Sequence, residues 1–476
     1  MDEEQEQAFN LIESGHNLLL TGQAGTGKSY VIKTAVKHLR STGKTVALTC
    51  STGIATSVFE DEHACTLHKW AGLEDGRYQN DELLHLFLTD ERFLKVKDTI
   101  KKNEYLIIDE ISMISSKTLG QVEFICRSLN DDKLHFGGIT VILSGDFFQL
   151  PPIKNELYGD FGHHCFLHPC FKKAFSHHIN LEIIHRQSET LLVTAVNELE
   201  RGTISENTVA FLNSLHRPLQ DEHLEKAVHL FARNVDVDLF NYERIQKIPS
   251  QLYVYQSNDE GSSDFLQKIL APKYLGIKVG IPVMLLVNLS DDLVNGKVGT
   301  VTYIDNDSCT LTIQFCLKNV KKTVKITKYL FTKYDPVDKI ILAKRLQFPI
   351  KVAYAITIHK SQGMSLQYLS IDCSNACFPG QIGVAVGRAK STDGLVLKNF
   401  KPSLVKPHPD VVYRLYENSS VNVIYNDFSC CKSRKENTDE NNNSDSGQLT
   451  KESSGNDTGE DTYNYFEEKK KCIRIF

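Results

Sequence analysis

The chain has 476 residues, of which 41% are hydrophobic and 24% are charged, and its formal net charge is −5. At roughly 100–200 residues per domain, this length predicts two to four domains, and the composition excludes a small disulfide-stapled module, a disordered chain and a membrane-spanning protein. The negative charge argues against a passive basic nucleic-acid binder, although a groove can still carry local positive charge.

The first part of the chain alternates helical periodicity with short apolar runs. These runs are NLLLTG, TVALTC, YLIIDE and TVILSGD. Their spacing is the βαβ rhythm of a parallel sheet covered by helices. The rhythm returns after residue 180, around HLFARN, LSIDC and GLVLKNF. We therefore predict an α/β fold with two lobes, each built on a parallel sheet.

A β-rich insertion is predicted between the two halves of the second lobe. Residues 250 to 350 contain alternating apolar positions and turn signals such as VNGKVGTV, whose Asn295-Gly296 and Lys297 lie at a turn. The tail is predicted to be disordered, because Leu449 is the only aliphatic residue from Lys432 to Thr462. The predicted boundaries are 1–180 for the first lobe, 181–250 and 336–425 for the second, 251–335 for the insertion and 426–476 for the tail.

The first chemical motif is a phosphate-binding loop. A strand precedes Gly22-x-x-x-x-Gly27-Lys28-Ser29 and a helix follows it, which is the P-loop pattern in its proper context. The loop's backbone N–H groups would close around phosphate oxygens, Lys28 would reach the β and γ phosphates, and Ser29 would supply a ligand for Mg²⁺. The sequence thus predicts ATP and Mg²⁺ as cofactors.

Two later strands deliver carboxylates toward the same nucleotide. Asp109 and Glu110 follow the apolar strand YLII, where P-loop enzymes place a metal-binding carboxylate. We assign Asp109 to Mg²⁺ and Glu110 to activation of the attacking water as general base. The next strand leads to Asp146 and Gln149 in GDFFQLPP, and Gln149 is a candidate sensor of the γ-phosphate. Phe147 and Phe148 have a core-packing alternative that stays open.

Two arginines from the second lobe are candidate fingers for the ATP cleft. Arg186 lies in IIHRQ and Arg388 in VGRAK. An arginine that enters the cleft from a second lobe accelerates hydrolysis by roughly 10³–10⁵ in P-loop systems. Their position beside the strands of the second lobe is the only argument from the residues themselves.

The cysteines indicate a reducing compartment. Twelve are scattered without a repeated pair spacing, so we expect buried thiols and no disulfides. The run His163-His164-Cys165 with His168 and Cys170 crowds zinc-type ligands into one segment, but no second ligand pair is evident. We interpret that segment as an ordinary loop, with zinc as the alternative.

Taken in order, several segments resemble the petite integration frequency helicases, in the RecD-like branch of helicase superfamily 1. They are EEQEQAF, GQAGTGKS, STGIAT, TLHKWAGL, LIIDEISMIS, SGDFFQLPP, IIHRQ, QFPIKVAYAITIHKSQGMSL and GQIGVAVGRAKS. The resemblance runs from residue 4 to about residue 400. It implies two RecA-like lobes and an ATP-dependent helicase that translocates 5′ to 3′ on single-stranded DNA and unwinds tailed or forked duplexes.

The resemblance also implies roles for individual residues. Gln5 becomes the reader of adenine, and the catalytic set is Lys28, Glu110, Gln149, Arg186 and Arg388, with Ser29 and Asp109 at the metal. The remaining nucleotide contacts are Gly22, Gly25, Thr26, Gly27 and Gly363. The implied DNA contacts are Thr52, Gly53, Thr66, His68, His359, Lys360 and Ser361. Trp70 offers a stacking face beside them, with core packing as an equal alternative.

Two departures from the family pattern affect the last motif. Gly383 stands where the family has tyrosine, and Gly387 stands where it has serine before the arginine. Both remove side chains beside Arg388, so we expect slower hydrolysis or looser coupling. A weakly hydrolysing, ATP-gated single-strand clamp and the helicase module of a mobile element are the alternatives, and an RNA track stays open.

The resemblance extends to cellular setting. It implies roles in replication, recombination, repair and telomere or mitochondrial DNA maintenance. We expect a monomer in the absence of DNA and no membrane partner. Residues 1 to 10 contain no targeting signal. We expect nuclear residence by analogy with the family, and mitochondrial residence stays open.

Overall fold

A computed structural model describes residues 1–185, 189–219, 221–290, 292–317, 320–417 and 431–432. In this part of the chain, no helix has the length and apolar character needed to cross a bilayer. Short 3-10 helices connect the main elements at Ala55–Glu62, Glu91–Phe93, Ile111–Met113, His135–Gly138, Glu156–Tyr158, Cys165–Leu167 and Pro402–Leu404.

The first lobe is built on a six-stranded parallel sheet. Its strands are β1 Leu18–Gly22, β2 Val46–Cys50, β3 Cys65–Thr66, β4 Tyr105–Asp109, β5 Thr140–Gly145 and β6 His177–Leu181. Its helices are α1 Glu3–Glu13, α2 Lys28–Ser41, α3 Leu67–Trp70, α4 Asn80–Thr89, α5 Leu94–Lys102, α6 Ser116–Leu129 and α7 Phe171–Ala174. The strand order is β3-β2-β4-β5-β1-β6. Strands β1, β2, β4 and β5 are buried at every position, which explains their continuous apolar runs.

The chain then enters the second lobe and the β-rich insertion. First come α8 Thr190–Arg201, α9 Glu206–Ser214, α10 Asp221–Lys226, β7 Val228–Phe231 and α11 Asn234–Gln246. The insertion has β8 Tyr253–Gln256, β9 Asn258–Gly261, α12 Ser263–Leu266, β10 Tyr274–Ile277, β11 Pro282–Leu285, β12 Val298–Asp305, β13 Thr310–Leu317, β14 Val320–Ile326, β15 Tyr329–Asp335, β16 Ile340–Gln347 and β17 Ile350–Val352. These strands form antiparallel sheets in the orders β14-β13-β12-β11-β17, β15-β16-β9 and β10-β8.

The last elements complete the second parallel sheet. They are β18 Ala355–Thr357, α13 Ile358–Ser361, β19 Leu369–Asp372, α14 Gln381–Val386, β20 Leu395–Lys398 and α15 Asp410–Glu417. This sheet has the order β18-β7-β19-β20, and all its pairs are parallel. The predicted fold class, two parallel α/β lobes with a β-rich insertion, is therefore confirmed.

Two predicted boundaries need correction. The insertion does not end at residue 335, because β16 pairs with β15 and β17 pairs with β11, so its antiparallel strands continue to Val352. The predicted disordered tail lies outside the described residues except for 431–432. Cys431 is fully buried, and its carbonyl accepts a hydrogen bond from Asn17 at 3.1 Å, so this part of the segment is docked on the first lobe.

Candidate nucleotide and nucleic-acid sites

The P-loop joins β1 to α2 at the carboxyl edge of the first sheet. Gly22, Gly25 and Gly27 have φ angles of 150°, 94° and 88°, in the region that side chains disfavour. The Lys28 ammonium donates hydrogen bonds to the carbonyls of Gly22 and Gln23. These contacts hold the lysine at the mouth of the loop, at the N-terminus of α2, where anions bind.

Two side chains support the P-loop from outside. The Gln5 amide donates to the Thr26 carbonyl at 3.1 Å, and its oxygen accepts from the Asp2 N–H at 3.3 Å. Gln5 is therefore buried with one hydrogen bond at each polar atom, which leaves a second N–H and a second lone pair of the amide for reading adenine. The backbone N–H of His185 donates to the Gly25 carbonyl at 2.9 Å, and the His185 ring contacts the Asp2 carboxylate at 2.7 Å.

The carboxylates lie beside the P-loop, at the ends of β4 and β5. Asp109 accepts a hydrogen bond from the Ser144 hydroxyl at 2.7 Å, and burial, together with the charge of Glu110, raises its pKa to about 6. Asp146 accepts from the Phe148 N–H at 3.0 Å and from the Tyr416 hydroxyl at 2.8 Å. Burial also raises the pKa of Asp146.

The cleft around the P-loop has a volume of about 430 Å³ and walls from both lobes. From the predicted catalytic and metal set, Lys28, Ser29, Asp109, Glu110, Gln149 and Arg388 line it. From the other predicted nucleotide contacts, Gly25, Gly27 and Gly363 line it. Gln5, Gly22 and Thr26 do not line it, and Arg186 lies outside the described residues. Arg388 is nearly buried, and its Nε donates to the Val384 carbonyl at 2.9 Å.

Gln362 is a site residue that the sequence analysis missed. Its amide donates to the Glu110 carboxylate at 3.0 Å and reaches the side-chain oxygen of Gln149 at 3.5 Å. Gln362 directly follows His359, Lys360 and Ser361, the predicted DNA contacts. One buried amide thus joins the proposed strand segment to the proposed general base. The sequence signal that could have identified Gln362 is its place in the HKSQG segment, which carries the family resemblance.

Glu200 on α8 was also missed. It is fully buried, and neither carboxylate oxygen has a hydrogen-bond partner among the described residues, so burial raises its pKa well above the usual range. A Cβ atom at Gly383 would lie 2.7 Å from both the Cγ and the backbone N of Glu200. The family's tyrosine would not fit here, because α14 and α8 approach too closely.

A second, larger cavity lies next to the cleft. Its volume is about 920 Å³, and its walls include Gly53, Thr66, Lys69, Gly296 and Lys297. The Asn295-Gly296 turn of the insertion packs directly on the first lobe, since a Cβ at Gly53 would lie 2.5 Å from the Asn295 carbonyl. The turn therefore closes one side of this cavity, which we call the channel.

The predicted strand contacts divide into two groups. Gly53 and Thr66 line the channel, and the Thr66 hydroxyl caps α3 by accepting from the Lys69 N–H at 3.3 Å. Thr52, His68, His359, Lys360 and Ser361 do not line it. Ser361 is fully buried, and its hydroxyl donates to the Ile358 carbonyl at 2.8 Å. A contact from Ser361 to a strand would require this bond to break.

Trp70, Phe147 and Phe148, for which core packing was an open alternative, all pack in the core. Trp70 is 6% exposed in the first-lobe core, although its edge reaches the channel, and its indole N–H donates to Asn103 at 3.0 Å. Phe147 and Phe148 are likewise buried.

In the segment considered for zinc, the ring of His164 stacks on Phe166, while His168 Nδ1 lies 3.0 Å from the Cys170 sulfur.

Comparison with known proteins identifies the family. The profile described as PIF1-like helicase matches residues 1–192, and the profile described as DNA helicase Pif1, 2B domain, matches residues 263–304 of the insertion. The ATP-dependent DNA helicase Pif1 of Bdellovibrio bacteriovorus is 32% identical over 86% of this chain and 90% of its own length. The Xenopus laevis ATP-dependent DNA helicase PIF1 is 31% identical over 86% of this chain.

The chain spans 61–63% of the length of the Emericella nidulans, Xenopus laevis and Saccharomyces cerevisiae relatives. Among solved structures, the Pif1 helicase from Candida albicans matches with a TM-score of 0.76 and 32% identity, over 88% of this chain and 98% of that one. The Bacteroides Pif1 helicase in complex with ADP-AlF3 and single-stranded DNA matches with a TM-score of 0.74 and 27% identity, over 87% and 96%. The chain therefore belongs to the Pif1 helicase family.

Proposed function

We propose that this protein is an ATP-dependent DNA helicase that translocates 5′ to 3′ on single-stranded DNA and unwinds duplexes. One observation carries the proposal. The ATP cleft and the channel share wall residues, namely Val58, Gly363, Met364 and Ser365. A change of cleft shape on nucleotide binding or hydrolysis therefore moves the channel wall, which is the physical requirement for a motor.

In the cleft, ATP phosphates would bind at the N-terminus of α2, with Lys28 exchanging its two carbonyl partners for phosphate oxygens. Glu110 would accept a proton from the attacking water while Gln362 orients its carboxylate. Arg388, and by family analogy Arg186, would stabilise the charge that develops on the transferred phosphoryl group. ATP thereby draws the two lobes together, and hydrolysis lets them part.

The residues of the cleft suit Mg²⁺. Ser29 and Asp109 offer hard oxygen ligands on one wall, and the buried, hydrogen-bonded Asp109 is held in place by Ser144. When bound, Mg²⁺ would neutralise charge on the phosphate oxygens. A divalent cation would also favour the ionised form of Asp109.

A single strand would run through the channel, where the Lys69 and Lys297 side chains offer positive charge to phosphates. The 5′ to 3′ direction of translocation rests on analogy with the family alone. Relatives are named ATP-dependent DNA helicases, and related Pif1 structures are bound to single-stranded DNA or concern unwinding at forked double-stranded DNA, which supports DNA as the substrate. DNA is therefore favoured over RNA.

ATP hydrolysis with and without single-stranded DNA tests the proposal. The unmodified chain should hydrolyse ATP faster when DNA is added, and Lys28→Ala should abolish hydrolysis under both conditions. A matched RNA strand should stimulate less. If DNA binds but hydrolysis stays at the level of Lys28→Ala, the protein is an ATP-gated clamp and the motor proposal fails.

The cellular setting is part of the same proposal. We place the protein in the nucleus, in replication, recombination, repair and telomere maintenance, by analogy with its relatives. We expect a monomer without DNA. A related structure concerns DNA unwinding at forked double-stranded DNA by two coordinating Pif1 helicases, so light scattering with and without a fork is the relevant measurement. A dimer without DNA would contradict this expectation.

A further inference from the structure

Three buried metal-ligating side chains meet at the amino edge of the first sheet. His16 precedes β1, and His177 is the first residue of β6; their ring centroids lie 4.9 Å apart. Cys431 comes from the C-terminal segment, and its sulfur lies 3.8 Å from His16 Nδ1. One ligand atom from each residue lies within 4.8 Å of the other two. All three side chains are nearly or fully buried.

This cluster is remote from the ATP cleft. The P-loop leaves β1 at its carboxyl end, whereas His16 and His177 lie at the amino ends of parallel strands. A five-residue strand is about 17 Å long at its usual rise, and that length separates the two edges. The nucleotide machinery therefore does not explain why two imidazoles and a thiol converge here.

The backbone around the cluster is fixed by hydrogen bonds. The Asn17 amide donates to the Cys431 carbonyl at 3.1 Å, while its oxygen accepts from the Val141 N–H at 2.8 Å. The Lys432 ammonium donates to the Thr140 hydroxyl at 2.9 Å, and the Lys432 backbone carbonyl accepts from the His135 N–H at 2.9 Å. These bonds hold Cys431 opposite the two histidines, as outer contacts hold ligands at metal centres.

We propose that His16, His177 and Cys431 bind a zinc-type divalent cation that fastens the C-terminal segment to the first lobe. Tetrahedral zinc takes nitrogen at about 2.0–2.1 Å and sulfur at about 2.3 Å, so its ligand atoms lie about 3.5 Å apart. The three ligand atoms need move only slightly to reach this geometry. A water molecule completes the four ligands.

The ligand chemistry selects the class of ion. A thiolate and two imidazoles favour zinc and similar borderline-soft ions over Mg²⁺ or Ca²⁺, which take oxygen. Binding converts the Cys431 thiol to a thiolate and releases one proton to solvent.

Metal analysis of the full chain tests the proposal, independently of any helicase activity. The protein is purified without chelator and its zinc content measured, and the metal-free protein is then titrated with Co²⁺. We expect about one zinc per chain and a thiolate-to-cobalt charge-transfer absorption at one equivalent. Cys431→Ala should remove the bound zinc and the absorption. Cys126→Ala, which removes another buried first-lobe thiol, should leave both unchanged.

A second measurement needs no variant, in case Cys431→Ala fails to fold. Thiol alkylation of the unmodified chain is mapped by mass spectrometry with and without zinc. Zinc should slow the alkylation of Cys431 at least tenfold while that of the exposed Cys309 stays unchanged. Absence of zinc, of the cobalt absorption and of this protection would overturn the proposal and leave the cluster as a buried polar contact.

Discussion

The Gln362 side-chain amide donates a hydrogen bond to the Glu110 carboxylate at 3.0 Å, across the boundary between the two lobes. Glu110 has a left-handed backbone, with φ of 56°, so its position depends on the packing around it. Gln362 is fully enclosed and adjoins the predicted DNA contacts on α13. This bond is the shortest described link between the proposed strand segment and the proposed general base.

Gln362→Ala should loosen the coupling between DNA and hydrolysis. Without the amide, Glu110 loses its orienting donor, so we expect the ratio of DNA-stimulated to basal hydrolysis to fall by about tenfold or more, equivalent to about 1.4 kcal/mol. Steady-state hydrolysis across a DNA titration measures this ratio. Gln367→Ala, in an exposed position of the same loop, is the matched control. An unchanged ratio in Gln362→Ala would show that coupling runs elsewhere.

Lys360 should make DNA affinity depend on pH. Burial, with a contribution from the charge of Lys351, lowers the pKa of Lys360 to about 8, while Asp238 opposes the shift. Phosphate binds the protonated form, so affinity is highest well below pH 8 and falls as the pH rises through 8, by about tenfold between pH 7 and pH 9 for one proton. Fluorescence anisotropy with labelled single-stranded DNA measures this slope.

Arginine keeps its charge over this range, so Lys360→Arg should bind with nearly the same affinity at pH 7 and pH 9. A variant slope equal to that of the unmodified chain would remove Lys360 from the DNA contacts.

Gly383→Ala should destabilise the protein although alanine favours helix. The new Cβ would lie 2.7 Å from the backbone N of Glu200, so α14 and α8 must separate, at a cost of about 1–3 kcal/mol in the free energy of unfolding. Gly387→Ala is the control, because its nearest neighbour, the Gly383 carbonyl, lies at 3.1 Å. Urea unfolding compares the two. Equal midpoints would contradict the close approach of these helices.

Tyr416→Phe should impair both stability and hydrolysis. The Tyr416 hydroxyl donates to Asp146 at 2.8 Å and accepts from the Phe147 N–H at 2.9 Å, while its ring stacks on Phe148. Removing the hydroxyl leaves the Asp146 carboxylate and the Phe147 N–H without this partner, so we expect the free energy of unfolding to fall by about 1–3 kcal/mol. Thermal unfolding and hydrolysis rate measure the effect. Tyr242→Phe, at an exposed position, should be neutral, and a neutral Tyr416→Phe would contradict the assignment.

The fold was predictable where one local signal sufficed. Strands β1, β4 and β5 are buried on both faces, so their sequences are continuous apolar runs, and the P-loop follows the first of them. The boundary of the insertion was wrong because β16 belongs to it through pairing with β15, a contact that periodicity does not encode. Trp70 was ambiguous because its residue type suits both a core and a stacking face.

The rest of the site depends on contacts between distant segments. Tyr416 reaches Asp146 from 270 positions along the chain, and Glu200 meets Gly383 because two helices cross, so neither appears in a linear motif. Cys431 was placed in the predicted disordered tail, yet it docks beside His16. The glycine at position 383 looked like a loss beside Arg388, whereas the structure shows that it makes room for α8.

Strand separation is the most direct test of the central claim, that ATP turnover in the cleft moves DNA through the adjoining channel. The substrate is a duplex with a 5′ single-stranded tail, compared with the same duplex carrying a 3′ tail. We predict ATP-dependent opening of the 5′-tailed duplex, little opening of the 3′-tailed one, and none with Lys28→Ala. Failure to open either duplex while DNA-stimulated hydrolysis proceeds, or equal opening by Lys28→Ala, would contradict the account.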